Sequence, residues 1–269
     1  MKRFLSLAAL TLLAAHAWCA DVVLTKTKHT DATSMMGREQ PAQDSTEVTW
    51  IAQDKLRVEE GDHVTIVRAD QKKLYTLDLK AKTYSVVDLP FDVSKSMPPE
   101  TAKMLEPMFA QIKFTVTPTT ETKKIKDWTA TRYTLTMTGP MGSGFTQELW
   151  ATKDVAVDLT ALRGLSESML SISPMAAPMA AEMKKIDGVV VLAERTQKMM
   201  GSELKSREEV TAVETKEPAP GLYDVPKDFT EKPFDPMRDA PMGPGMGGAR
   251  PARGAPGRPP TGGKPEKGG

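Results

Sequence analysis

The sequence predicts an α+β fold in which a curved, half-open antiparallel β-sheet (an incomplete barrel) packs on two helical crossovers and is followed by a disordered C-terminal tail. Three observations support this prediction. Apolar and polar residues alternate in several short runs, turn-forming residues separate these runs, and two stretches carry apolar residues at helical spacing instead. A sheet with one apolar face needs a second layer, here the helices, to cover it.

Alternation of apolar and polar side chains identifies the strands. Residues 75–79 (YTLDL) and 133–137 (YTLTM) alternate strictly. A period of two residues with one polar side is typical of a sheet that has one face in water. Turn residues fall between such runs, as at 60–62 (EGD) and 187–188 (DG), and they favour a meander of hairpins.

Two stretches interrupt this strand pattern. In residues 98–112 the apolar side chains form one helical stripe, and Pro107 is expected to kink or split the helix. Residues 158–186 carry two stripes that Pro174 and Pro178 separate, which predicts two short helices. Strand patterns then return at 189–199 and 203–213.

The first twenty residues have the layout of a secretory signal peptide. Lys2 and Arg3 precede an uncharged run of mostly Leu and Ala that is too short to span a membrane. The sequence therefore predicts a signal peptide over 1–20, a folded domain over 21–235 and a tail over 236–269. The protein is expected to be secreted or periplasmic in a bacterial envelope, and it is not expected to be transmembrane.

The sequence does not decide where the signal peptide is cleaved or whether the chain is lipidated. Cleavage after Ala17 fits the small residues that a signal peptidase reads, namely Ala15 and Ala17. Cleavage after Ala20 would start the mature chain at Asp21 but places the bulky Trp18 at one of those positions. A third alternative makes Cys19, the only cysteine, a lipid anchor, although the bulky Trp18 before it disfavours acylation.

The tail has a composition that cannot form a core. Ten Gly and eight Pro make up over half of residues 236–269, with six Lys/Arg against two acidic residues. Such a segment is expected to be disordered. It is either a solvated tail or a basic arm for an anionic envelope polymer or lipid headgroups. The body before it is mildly acidic, which argues against a nucleic-acid-binding domain.

Catalytic patterns are absent from the sequence. After removal of the signal only His29 and His63 remain, which disfavours the common zinc sites and the Ser–His or Cys–His arrangements. We therefore expect a protein that is not an enzyme, with no catalytic residues, no cofactor and no metal site.

Methionine is the one unusual enrichment, with seventeen copies. Its flexible side chain suits surfaces that accept varied apolar shapes. Three interpretations stay open: ordinary core filling, a deformable wall over an apolar ligand, or thioether ligands for Cu(I). The Cu(I) ligands would be Met175, Met179 and Met183, or Met199 with Met200. The candidate groove residues on predicted helix stripes are Met104, Met108, Phe109, Met169, Met175, Met179 and Met183.

Four short stretches carry a family resemblance: 50–58 (WIAQDKLRV), 74–78 (LYTLD), 83–86 (TYSV) and 225–229 (VPKDF). Through them the chain is similar to a group of secreted bacterial proteins known only as a domain of unknown function. The order of elements also resembles the periplasmic lipoprotein-carrier (LolA-like) superfamily. The resemblance implies a fold and a compartment, and it carries no catalytic residues.

The resemblance and the Met stripes together lead to an expected function. We expect non-enzymatic binding of a lipid or other apolar ligand, or of a cell-envelope component, in the groove between sheet and helices. The alternative is a structural or interaction protein of the envelope that acts through its surface and basic tail. A hydrolase would need a deep polar pocket with paired carboxylates, which the sequence does not indicate.

Overall fold

Most of the chain that the structure describes is β-strand. The computed structural model describes residues 20–35, 38–91, 110–140, 144–170, 176–199 and 202–235, with the single positions 100, 103, 104, 107 and 239. The elements in chain order are β1 (Asp21–Thr30), β2 (Thr33–Met35), β3 (Arg38–Gln40), β4 (Gln43–Ile51), β5 (Lys55–Glu60), β6 (His63–Arg68), a 3-10 turn (Ala69–Gln71), β7 (Lys73–Asp78), β8 (Thr83–Asp88), β9 (Lys113–Ile125), β10 (Trp128–Thr138), β11 (Gly144–Thr152), α1 (Leu159–Leu170), α2 (Ala176–Met183), β12 (Val189–Met199), β13 (Ser202–Lys216) and β14 (Thr230–Glu231).

Twelve of these strands form one continuous sheet, in the order β14-β8-β7-β6-β5-β4-β1-β13-β12-β11-β10-β9. Neighbouring strands run antiparallel except at one edge, where β14 runs parallel to β8. The strands β2 and β3 form a separate two-stranded hairpin. The first strand of the chain lies in the middle of the sheet, with β4 on one side and β13 on the other.

The predicted fold class is wrong, because this sheet is not a half-open layer packed on two helical crossovers. The chain forms one large mixed sheet, and the two helices whose bounds the structure gives are short. The 12 residues of α1 span only about 18 Å. Twelve strands at the usual spacing make a sheet about 50 Å wide. Helices of this length cover part of one face, so much of the sheet is covered by other means.

Several local predictions are confirmed. Residues 158–186 contain two short helices, as predicted, but Pro178 lies inside α2, so of the two prolines only Pro174 lies between them. Glu60 pairs with His63, so Gly61 and Asp62 form a two-residue hairpin loop, with Gly61 at φ 57°. Gly188 has φ 126°, and a side chain there would collide with the carbonyl oxygen of Thr152. The other helical stretch, 98–112, lies mostly outside the described residues, but its described positions 100, 103, 104, 107 and 110 are helical.

One face of the sheet, which we call the helix face, holds most of the core beneath α1. Leu165 and Met169 of α1 pack against it. The face is apolar here because alternate residues of each strand point to the same side. The strand residues in this cluster include Leu24, Ile51, Leu56, Val67, Leu74 and Val87.

The shorter helix α2 packs on the strands at the other end of the sheet. Met179 is buried in a second cluster with Phe114, Leu135 and Leu149. The backbone N–H of Val116 on the edge strand β9 donates a 2.6 Å hydrogen bond to Glu182. The helix therefore also satisfies one donor at this edge, which limits pairing with other chains.

The chain after β13 covers the opposite face and then the β8 edge. Tyr223 packs against Ile66 and Leu77, and its hydroxyl donates a 2.6 Å hydrogen bond to Asp21. After β14 the chain reaches the helix face, where the Asp239 carboxylate accepts a hydrogen bond from Ser85. We call residues 217–235 the C-terminal segment.

We expect Leu74→Ala to lower the free energy of unfolding by about 2–5 kcal/mol, because it leaves a cavity at a fully buried site. Leu79→Ala is the matched control, since Leu79 is 37% exposed and should cost much less. Urea denaturation of both variants measures the difference. Equal losses would contradict the placement of the core on the helix face.

Candidate functional site

The helix face changes from apolar to charged along the strands. Leu24 belongs to the apolar core, and Lys26 and Lys28 follow it on the same side of β1. On β4 the same face likewise changes from the apolar Ile51 to the charged Glu47. Strand pairing sets Lys26 opposite Glu47, Glu47 opposite Glu60, and Lys28 opposite Glu208 of β13. These five residues, Lys26, Lys28, Glu47, Glu60 and Glu208, form what we call the ionic cluster.

Four members of the ionic cluster satisfy one another. Lys26 Nζ lies 2.8 Å from one Glu47 oxygen, and Lys28 Nζ lies 2.7 Å from the other. Lys28 also reaches Glu60 at 3.0 Å. Ser45 and Thr49 donate further hydrogen bonds to Glu60 and Glu47. The two lysines and two carboxylates therefore form a charge-balanced network.

The pKa values of these groups reflect competition between burial and pairing. Burial alone would raise the pKa of Glu47, but the charges of Lys26 and Lys28 lower it to about 2. Burial alone would lower the pKa of Lys28, but Glu47 and Glu208 hold it above its usual value. Both groups therefore stay ionised at neutral pH in spite of their burial.

Glu208 differs from the other members of the ionic cluster. It is only 7% exposed, yet within the described residues its carboxylate makes no hydrogen bond and no ion pair. Burial raises its pKa, and the charges of Lys26 and Lys28 offset only part of this effect. Its carboxylate oxygens are not fully enclosed, so they keep access to open space instead of lying unsatisfied in a dry core.

Glu208 borders a small cavity beneath the end of α2. Its apolar wall comes from Met183 at the helix end and from the strands β11 and β12, and its polar wall from Lys26 and Glu208. The volume is about 20 Å³, enough for a single water molecule. The cavity lies where the ionic cluster meets both apolar clusters of the helix face. The strand residues of the apolar wall include Leu149, Val190 and Ala193.

The structure separates the methionines that the sequence places in one groove. Met169 and Met179 are 6% and 2% exposed and fill the two cores, whereas Met104 is 66% exposed. Met183 borders the cavity. The remaining candidates, Met108, Phe109 and Met175, lie outside the described residues.

Sequence reasoning missed the ionic cluster. A signal was present in β1, because Leu24, Lys26 and Lys28 are alternate residues of one strand and therefore face the same side of the sheet. The alternation of other strands predicts one polar face in water, and it gives no indication that charged side chains of β1 lie on the buried side.

The part of the chain that the structure describes contains no candidate metal site. No group of three or more His, Cys, Asp or Glu residues there could hold a metal ion. The described helices are also too short or too polar for any of them to cross a membrane.

Comparisons with known proteins add a family. The family model described as "Domain of unknown function (DUF4412)" matches residues 35–229. Among solved structures the chain is similar to "Structure of PNGF-II in C2 space group", with 15% identity and a TM-score of 0.36. That similarity covers 78% of this chain, which spans 31% of the length of the other. No curated protein matches the sequence.

We expect Glu47→Gln to lower the free energy of unfolding by about 3–5 kcal/mol, because it leaves two buried lysines without their shared carboxylate. Asp228→Asn is the matched control: it breaks the exposed Lys82–Asp228 pair and should cost far less, because water screens such a pair. Denaturant titration compares the two. A loss for Glu47→Gln as small as the control would mean that the network does not stabilise the fold.

The difference in stability between wild type and Glu47→Gln should also depend on pH. The pKa of Glu47 is about 2 when folded, against 4.5 as the reference value. Its charge therefore stabilises the fold fully above pH 4.5, and this contribution is lost as the pH falls toward 2. The gap in unfolding free energy between wild type and Glu47→Gln should narrow over that range. A gap that stays constant down to pH 2 would argue against the lowered pKa.

Proposed function

The chain belongs to the DUF4412 family, a domain of unknown function, and from that premise we propose that it binds an apolar ligand or cell-envelope component without catalysing a reaction. The binding place is the cavity between α2 and the sheet. We further propose that this takes place outside the cytoplasm, in the secreted or periplasmic space that the signal-like residues 1–20 indicate.

The cavity beneath Met183 is the single observation that carries the proposal. Most of its lining is apolar, and Lys26 and Glu208 are the two charged residues in it. Binding sites for small molecules commonly combine an apolar lining with a few placed polar groups. Buried charges on a core face also cost stability, so they are expected where function requires them. Both properties fit a ligand with an apolar part and a polar end.

Uptake of such a ligand requires α2 to move, since the closed cavity holds about one water molecule. The helix has only eight residues, so it has little stability of its own. Met179, Ala180 and Met183 pack against the sheet, and Glu182 accepts a hydrogen bond from the Val116 N–H. The proposed opening would break these contacts while the strands beneath stay paired. Met183, at the end of this helix, would then adapt to the ligand.

A second candidate function is an envelope interaction protein that acts through its surface and basic tail. The full packing of Met169 and Met179 favours it, because those side chains already fill the space between sheet and helices. Asp239 near the start of the tail is also fixed, with Lys232 Nζ 2.8 Å from its carboxylate. In this alternative the tail would meet an anionic polymer and the core would bind nothing.

The test is uptake of an apolar fluorescent probe by the purified full chain, with mass spectrometry of whatever co-purifies. We expect Met183→Ser to weaken probe binding by about tenfold or more, because it removes apolar surface from the cavity wall. Met104→Ser is the matched control and should bind as wild type does, since Met104 is exposed.

Two results would count against the binding proposal. Wild-type protein that carries no lipid and takes up no probe would favour the interaction protein. Equal losses in both methionine variants would place the probe elsewhere on the chain.

A further inference from the structure

We infer that Glu208 is the polar anchor for the ligand and that it selects a head group that donates a hydrogen bond, such as an ammonium or a hydroxyl group. This inference rests on the proposed function, because it names the ligand chemistry of the same cavity. It follows from where Glu208 points, from what its neighbours already bind, and from what a carboxylate can accept.

The surroundings of Glu208 leave room beside its carboxylate. Its cross-strand neighbour on β12 is Ala193, which carries only a methyl group, and both residues line the cavity. On the other side it faces Lys28 of β1. The Glu208 side chain is thus more than nine-tenths buried and borders a space into which a ligand group would fit.

The nearby lysines are already engaged. Lys26 donates to Glu47 at 2.8 Å, and Lys28 lies between Glu47 and Glu60 at 2.7 and 3.0 Å. Arg195 of β12 also faces Glu208, but its guanidinium stacks on the ring of Phe145 at 4.0 Å. None of these cations comes within ion-pair distance of Glu208 among the described residues. Within the described residues, Glu208 is therefore the one acceptor of the ionic cluster that no lysine binds.

An ionised carboxylate can only accept hydrogen bonds. A carboxylate head group in the cavity would bring two acceptors of like charge together in a site of low dielectric. An ammonium or hydroxyl group would instead supply the missing donor. Burial raises the pKa of Glu208, which is the expected property of a carboxylate that lacks a donor. Besides burial, the charged groups that act on this pKa are Lys26, Lys28, Glu47 and Glu60, and Glu208 in turn acts on the pKa of Arg195.

The apolar wall sets the orientation of the rest of the ligand. Met183, Leu149 and Val190 line the cavity together with Glu208. A ligand anchored at Glu208 would therefore lay its hydrocarbon part under the end of α2. The expected class is a single-chain amphiphile with a donor at its polar end.

The experiment measures displacement of the apolar probe from the full chain by decylamine, decanol and decanoate, which share one chain length. For wild type we expect decylamine and decanol to bind about tenfold or more tightly than decanoate, because an unmatched buried acceptor is costly. The ratio of decylamine to decanol affinity shows whether an ammonium or a hydroxyl is the better donor.

In Glu208→Gln the preference over decanoate should fall below about threefold, since a carboxamide both donates and accepts. Glu209→Gln is the matched control. Glu209 is the next residue of β13, points to the other face and pairs with Arg207 at 2.8 Å, so the wild-type preference should persist. If Glu208→Gln does not fold, Glu208→Asp decides the question, because it keeps the acceptor and should keep the preference for donors.

The outcomes separate this inference from the proposed function. Probe binding with a head-group preference that Glu208→Gln leaves unchanged would overturn the inference and leave the cavity as a binding site. Tighter binding of decanoate than of decylamine to wild type would overturn it as well. Failure of every probe and amphiphile to bind would overturn the proposed function itself.

Discussion

The fold depends on the hydrogen bonding of the first strand, β1, to two partners that are far apart in the chain. Over nearly its whole length β1 pairs with β4 on one side and with β13 on the other. It thereby joins the hairpins β4 to β8 with the strands β9 to β13. Every other antiparallel contact in the sheet lies between strands that are consecutive in the chain or separated only by the two helices. Without β1, no backbone hydrogen bonds would join the strands β4 to β8 to the strands β9 to β13.

The same strand carries the charges of the candidate site. Lys26 and Lys28 follow Leu24 on the buried side of β1, so completing the sheet also takes their ammonium groups out of water. Desolvation of charges is expensive, and the Glu47 carboxylate offsets it by binding both lysines. Glu208 has no direct partner of this kind within the described residues, and the charges of Lys26 and Lys28 offset only part of its burial. Its place in the core is the feature on which the proposed binding rests.

A sheet of this width presents two long edges and two faces, and different parts of the chain cover them. The helices cover part of one face, while the C-terminal segment covers the other with Tyr223 and continues to the β8 edge. At the opposite edge Glu182 occupies a backbone donor of β9, and Pro118 has no N–H to offer. These devices limit strand addition by other chains. The helix α2 thus protects an edge and forms a wall of the cavity at the same time.

The sequence by itself determined the local structure. Alternation identified strands such as β7 and β10, Gly61 and Gly188 marked real turns, and prolines indicated two short helices within residues 158–186. These features depend on neighbours a few residues away, which a single sequence displays. The extent of the sheet was missed, as were the unequal roles of Met104, Met179 and Met183.

Only the tertiary structure decided how the strands combine and which charges they bury. Thr25 and Thr211, whose strands pair at the centre of the sheet, are 186 positions apart in the chain, and no periodicity in the sequence reveals that pairing. Lys26, Glu47 and Glu208 resemble ordinary surface residues in the sequence. Their burial follows from the register of three strands and from the placement of α2 above them. Burial is a property of the assembled sheet, because contacts between distant segments determine which side of each strand loses its water.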